Sequence, residues 1–169
     1  MISKHSLMHN NFSKSDFSEV KKLFNKKNPI LTQSKKVSEF EKKWSKWLGV
    51  KYSTFVNSGS SANYISISLL KTINKNTNKN EIIVPSLTWI SDISSVILNG
   101  FKPVFVDINL NNLSMNIDEV IKKVNKKTLA IFITHAQGFN GLNTKLLKFV
   151  KKKNINLIED VCESHGAKF

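Results

Sequence analysis

Apolar positions along the chain follow a helical spacing at first and then alternate between continuous short runs and helical stripes. Val20, Leu23 and Phe24 share one face at three- and four-residue spacing, which predicts a helix over residues 17–24, broken at Asn28-Pro29. Val37, Phe40, Trp44, Trp47 and Leu48 form a second stripe, and Gly49 is a natural C-cap. Trp44 and Trp47 are read here as core packing. Residues 52–56 read as a short strand, followed by a helix through Tyr64 to about Ile73. The Lys/Asn stretch 74–80 reads as an exposed loop. Beyond it, strands at Glu81–Pro85, 102–107, Thr128–Thr134 and 155–159 alternate with helices at Ile90–Leu98, 118–124 and 144–152.

Strands that are apolar on both faces and separated by helices predict a parallel sheet covered on both sides, an α/β chain of three layers. In such sheets ligands sit outside the carboxyl ends of the strands. The residues there are Ser58 to Ser61, Ser86 to Trp89, Asp107, His135 to Gly138, and Asp160 to Glu163. They include polar and aromatic groups of the kind a site needs. At Asn57-Ser58-Gly59-Ser60-Ser61 a strand turns into a helix, so unpaired N–H groups and the positive end of a helix dipole meet. That is an anion site, most often for phosphate, although an ordinary Ser-capped helix start has the same look. The turn is neither a Walker A loop nor a dinucleotide fingerprint.

Composition changes this picture little. The chain has 169 residues, enough for about one domain, and a formal charge of +14 carried by lysine without any arginine. The lysines are scattered along helices and loops without aromatic interleaving. Solvated faces therefore explain them better than a nucleic-acid partner does, and attraction of anionic substrates is a milder consequence. A single cysteine, Cys162, rules out an internal disulfide and fits a reducing cytoplasm. No apolar run reaches membrane-span length, and residues 1–5 lack the apolar core of a signal peptide. The expected location is cytoplasmic. His135, Cys162 and His165 lack the spacing of metal ligands.

An anion turn, an aromatic at a strand exit and a strand-end carboxylate are parts of a site for a planar phosphorylated cofactor. Trp89 has the chemistry to stack on a ring, with core packing as its alternative. Asp160 has the chemistry to hold a ring nitrogen protonated, with an N-cap of a following helix as its alternative. For His135 the bland alternative is a local hydrogen-bonding role.

Taken in order, several segments resemble the DegT/DnrJ/EryC1/StrS sugar aminotransferases over about residues 30–169. They are Asn57-Ser58-Gly59-Ser60-Ser61-Ala62, Val84-Pro85-Ser86-Leu87-Thr88-Trp89, Gly100 to Asp107, His135 to Gly138, and Ile158-Glu159-Asp160 with His165-Gly166-Ala167. The resemblance implies the large domain of pyridoxal-phosphate-dependent transferases, truncated, with residues 1–30 as a polar helical lead-in and 31–169 as an incomplete cofactor-binding domain. It implies that Gly59, Ser60 and Ser61 hold the phosphate of pyridoxal 5'-phosphate or pyridoxamine 5'-phosphate. Trp89 would stack on its ring, Asp160 would bind the pyridinium nitrogen, and Glu163 would face the phenolic oxygen. His135 matches a family histidine near the site. The implied activity is amination of a nucleotide-linked keto sugar for surface polysaccharide, with glutamate as donor and a homodimer as the full-length state. Two departures stand out. No lysine here matches the family's Schiff-base lysine, which lies beyond Phe169 in the pattern, so the chain reads as a fragment without turnover of its own, or as a truncated binding module. Glu163 stands where aminotransferases commonly have glutamine, which is similar to the 3-dehydrase branch acting on nucleotide-linked 4-keto-6-deoxy sugars with pyridoxamine phosphate.

Overall fold

The computed structural model describes residues 10–76 and 78–168. Residues 1–5, read for a leader, and Thr77 of the 74–80 loop lie outside the described residues. The chain divides into two compact units, one ending at Phe55 and one beginning at Val56.

In the first unit, α1 (Lys14–Phe24) opens on a capping box. Ser13 accepts from the Asp16 N–H, and the Asp16 carboxylate accepts from the Ser13 N–H, so two orphan donors of the first turn are satisfied. The second helix, α2 (Lys35–Leu48), starts at Ser34 and stops at Gly49, whose φ of 77° places it in the left-handed region that glycine enters freely. Rings of Phe40, Trp44 and Trp47 line up along α2, with Trp44 and Trp47 centroids 4.9 Å apart. The core placement expected for both tryptophans is corrected here. Trp47 is 58% exposed and Trp44 half-buried, because Ser45 is the single buried residue among 10–55 and two helices alone supply no layer to cover the stripe.

The strand expected at 52–56 does not form. A strand exists only through its ladder, and among the described residues no strand pairs with this segment. The Phe55 N–H donates instead to the Glu41 carboxylate at 2.9 Å.

The second unit begins with α3 (Gly59–Ile73) and continues through β1 (Glu81–Pro85), α4 (Ile90–Leu98), β2 (Lys102–Val106), α5 (Ile117–Lys123), β3 (Thr128–Thr134), α6 (Thr144–Lys153) and β4 (Asn156–Asp160). The strands make one four-stranded sheet in the order β2-β1-β3-β4, and every pairing is parallel. The two central strands are buried, β1 throughout. Each face carries its own core. Ile82, Val84 and Phe132 pack with Ile67 and Leu70 of α3 and Val96 of α4. Ile83, Ile131 and Ile133 pack on the other side with Val120 of α5 and Leu146 and Val150 of α6. Alternate residues along one strand thus feed opposite layers, as the pleat requires. The register pairs Pro85 with Val106 and Thr134 with Asp160, so the strands' carboxyl ends finish side by side. Among the described residues no helix is long and apolar enough to cross a membrane.

After β3 the chain makes a 3-10 turn at Ala136–Gly138 and then runs past buried Gly141. A Cβ at Gly141 would lie 2.0 Å from Ser114 Oγ and 2.9 Å from Ile133 Cδ1. Gly141→Ala is expected to destabilise the fold by about 1–3 kcal/mol through overpacking, read from chemical denaturation midpoints.

Candidate active site

The carboxyl ends of β1, β3 and β4 and the start of α3 surround a cavity of about 530 Å³. Gly59, Ser60, Trp89, His135, Asp160 and Glu163 all line it. Six of the seven residues singled out from the sequence are therefore brought together. The seventh, Ser61, lies along an adjoining groove between α3 and α4 with Tyr64 and Ile90.

Ser58, in extended conformation, caps α3. Its hydroxyl accepts from the Ser61 N–H at 3.1 Å, so that donor is already used inside the helix start. The N–H groups of Gly59 and Ser60 take no acceptor among the described residues and sit at the positive end of a 15-residue helix. Space at this point is tight. A Cβ on Gly59 would lie 3.3 Å from Cys162 Sγ.

Trp89 is 72% exposed at the N-terminus of α4 and its side chain caps nothing, so the core-packing alternative does not apply. Asp160 ends β4 and is followed by turns, which removes the N-cap alternative. Its carboxylate accepts from the Cys162 N–H at 2.9 Å and from Asn63 Nδ2 at 3.0 Å. Burial works to raise the Asp160 carboxyl. Hydrogen bonds led by those from the Cys162 backbone, Asn63 and the Cys162 thiol outweigh it and hold the group below the usual carboxylate range. The Cys162 thiol pays the reverse cost: its bond to the Asp160 carboxylate, then burial, then nearby negative charge push it up to about 11.

Glu163 accepts from the Gln137 N–H at 2.5 Å. That N–H is aimed by an unusual backbone, since Gln137 has φ 55° and Gly138 φ 82°. A Cβ on Gly138 would approach the Glu163 carbonyl oxygen at 3.3 Å. His135 is buried, and both ring nitrogens are engaged. Nδ1 accepts from the Gly141 N–H at 3.0 Å, which places the ring proton on Nε2, 3.0 Å from the Glu159 carboxylate. With Nδ1 used as an acceptor and Nε2 as a donor, neutral His135 keeps no lone pair for proton transfer. It fixes the loop after β3 to β4.

Three polar residues beside this cavity escaped sequence reading, Asn63, Asp92 and Thr134, and Thr88, read as a strand-exit residue, joins them. Asn63 Nδ2 donates to both Asp92, at 2.7 Å, and Asp160, at 3.0 Å. The Thr88 and Thr134 hydroxyls both bond to Asp92. The signal was available, because Asp92 lies one helical turn from the core residue Val96 and so on the apolar face of α4. A carboxyl there needs partners.

The DegT/DnrJ/EryC1/StrS aminotransferase family model matches residues 11–169. The chain is 33% identical over 142 residues to a GDP-4-keto-6-deoxy-D-mannose 3-dehydratase of Escherichia coli O55:H7, an alignment covering 83% of this chain and 37% of that protein. It is 28% identical to a GDP-perosamine synthase of Escherichia coli O157:H7, with the same two coverages. Among solved structures it is similar to the E. coli 3-dehydratase with bound hydrated PLP, with a TM-score of 0.88, 29% identity, and 98% of this chain set against 43% of that one. It is also similar to Helicobacter pylori PseC, an aminotransferase of pseudoaminic acid biosynthesis, with a TM-score of 0.81, 25% identity, and 94% against 41%. The chain spans little more than a third of the length of the curated relatives it matches.

A thiol raised to about 11 is almost wholly protonated at neutral pH, although Cys162 itself is exposed. Alkylation of Cys162 by iodoacetamide at about pH 8 is expected to run about a hundredfold slower than for an unperturbed thiol, and Asp160→Asn is expected to speed it. A rate equal to that of a small free thiol would contradict the bond between the two side chains.

Proposed function

Because the chain belongs to the DegT/DnrJ/EryC1/StrS aminotransferase family, we propose that it forms the cofactor-binding part of a pyridoxal-phosphate-dependent enzyme that aminates a nucleotide-linked keto sugar. The observation that carries this reading is Asp160. It is a strand-end carboxylate held ionised by donors and opening on a cavity that also contains unspent helix N–H groups and an exposed indole.

The residues fit the group on their own chemistry. The Gly59 and Ser60 N–H groups would take the phosphate, with Gly59 leaving room for its approach. The Trp89 indole would cover one face of the ring. Asp160 would keep a proton on the ring nitrogen, since an ionised carboxylate favours the pyridinium form. Glu163, fixed by the Gln137 N–H, would face the phenolic oxygen. When bound, the cofactor supplies an electron sink for breaking a bond to hydrogen. Ser61 contributes by closing the helix start, its N–H taken by Ser58. No lysine is among the described residues that line the cavity. The amino donor is proposed to be glutamate, and the working state of the whole protein a homodimer.

A second reading is removal of the C3 hydroxyl from a 4-keto-6-deoxy sugar with pyridoxamine phosphate. Glu163, an acid where an amide is common among the aminotransferases, favours it, and the 3-dehydratases among the relatives are in keeping with it.

Pyridoxal 5'-phosphate is expected to quench the chain's tryptophan fluorescence saturably, with Asp160→Asn and Trp89→Ala each weakening binding at least about tenfold. In mass spectrometry of reactions of the whole protein with a nucleotide-linked 4-keto-6-deoxy sugar and glutamate, an amino product is expected. Loss of the C3 hydroxyl without nitrogen gain would select the second reading. No saturable binding would set the cofactor role aside.

A further inference from the structure

Asp92 lies on the core face of α4 with no exposed surface, and nothing in the cofactor reading uses it. Its Oδ2 closes a triangle with two hydroxyls. Thr134 Oγ1 is 2.8 Å from Oδ2 and 2.7 Å from Thr88 Oγ1, and the Thr88 hydroxyl bonds to Oδ2 as well. Each hydrogen bond needs its own proton, and the two threonines carry two between them. With Asp92 ionised, one edge of the triangle would set lone pair against lone pair inside the protein. A proton on the Asp92 carboxyl completes the ring.

The surroundings of Asp160 differ. Its partners are donors: the Cys162 N–H, the Cys162 thiol and Asn63 Nδ2. Nothing there asks Asp160 for a proton. Asn63 links the two carboxyls, since its NH2 end has two hydrogens, one for each, and its carbonyl end would repel both. Ser91 Oγ, 3.1 Å from the same nitrogen, is the weaker third neighbour.

We infer that Asp92 is a positioning residue: it holds the single proton of an Asn63-bridged carboxyl pair, so that Asp160 meets the cavity as a fixed carboxylate. Two carboxyls this close inside a protein do not both ionise readily. Burial pushes Asp92 up to about 6 against the Thr88 and Thr134 hydrogen bonds, with the charge on Asp160 adding to the rise, so below about that pH the pair keeps its one proton on Asp92 while Asp160 is held low. The titratable groups facing Asp92 are Asp160 on β4 and Cys162 just after it; α3, the β1–α4 loop and β3 face it with the neutral Asn63, Thr88 and Thr134. The role of Asp160 at a ring nitrogen rests on the cofactor reading above, whereas the shared proton does not.

Infrared difference spectra of the full chain test the proton pair without any cofactor. At about pH 5, over the contribution of partly protonated glutamates, the wild type is expected to show an additional carbonyl band of a protonated carboxylic acid. Asp92→Asn lacks that band, and so does Asp92→Ser if the amide disturbs folding. A band absent from the wild type, or one that survives both substitutions and disappears with Asp160→Asn, overturns the assignment. Pyridoxal 5'-phosphate binding then tests positioning. Asp92→Asn, which matches the neutral acid in shape and charge and can still hydrogen-bond both threonines, is expected to bind within about threefold of the wild type, and Asp92→Leu at least about tenfold more weakly. Equal losses in both variants, or none in Asp92→Leu, overturn the positioning role. If the wild type itself binds no pyridoxal phosphate, the cofactor reading fails and the infrared result alone decides the proton pair.

Discussion

Asn63 donates one amide hydrogen to Asp92 and the other to Asp160, and this bridge joins α3, α4 and β4 at one point. Two carboxyl groups inside a protein repel when both are charged, and each loses hydration on burial. The arrangement is tolerable only because both carboxyl groups find hydrogen-bond partners: an amide, two threonine hydroxyls, a backbone N–H and a thiol. Any shift of α3 or α4 against the sheet would strand one of these groups without a partner. The bridge thus ties the packing of the upper core layer to the chemistry of the cavity.

The position of the cavity follows from the parallel ladder. The register ends β1 with β2 and β3 with β4, so the loops that leave those strands emerge together. A helix start placed beside them adds donors with a fixed orientation. In the loop after β3, Gln137 adopts a positive φ and turns its N–H onto Glu163. His135 and Gly141 brace the same loop from below. Strain of this kind persists where neighbours over-determine the backbone, and here the neighbours are a buried imidazole and a packed glycine.

The sequence was clearest where one local cause dominates. Continuous apolar runs between helical stripes marked β1 to β4, and Gly49 and Ser58 marked helix ends with caps that the structure contains. The residues around the cavity were legible as strand exits, since topology alone brings Gly59, Trp89, Asp160 and Glu163 to one end of the sheet. What depends on partners distant in sequence was not legible. Residues 52–56 have strand composition but no ladder, and Trp47 has core composition but no covering layer. Asn63, Thr88, Asp92 and Thr134 are unremarkable singly, and their meaning arises mainly from contacts across 29 to 97 positions. Resemblance to a family pointed to the outward-facing groups and passed over the polar network behind them.

The two edges of the sheet are not alike. Along β2 the outer edge begins with Lys102 and Pro103, a charge that another strand must desolvate and a residue with no N–H to offer. Along β4, Asn156 to Asp160 contain neither proline nor lysine, and among the described residues no strand covers that side. New backbone can therefore add to this sheet beside β4 with a full set of donors and acceptors, whereas beside β2 it meets a blunted margin. The margin of the sheet left open to further pairing is therefore the strand that carries Asp160.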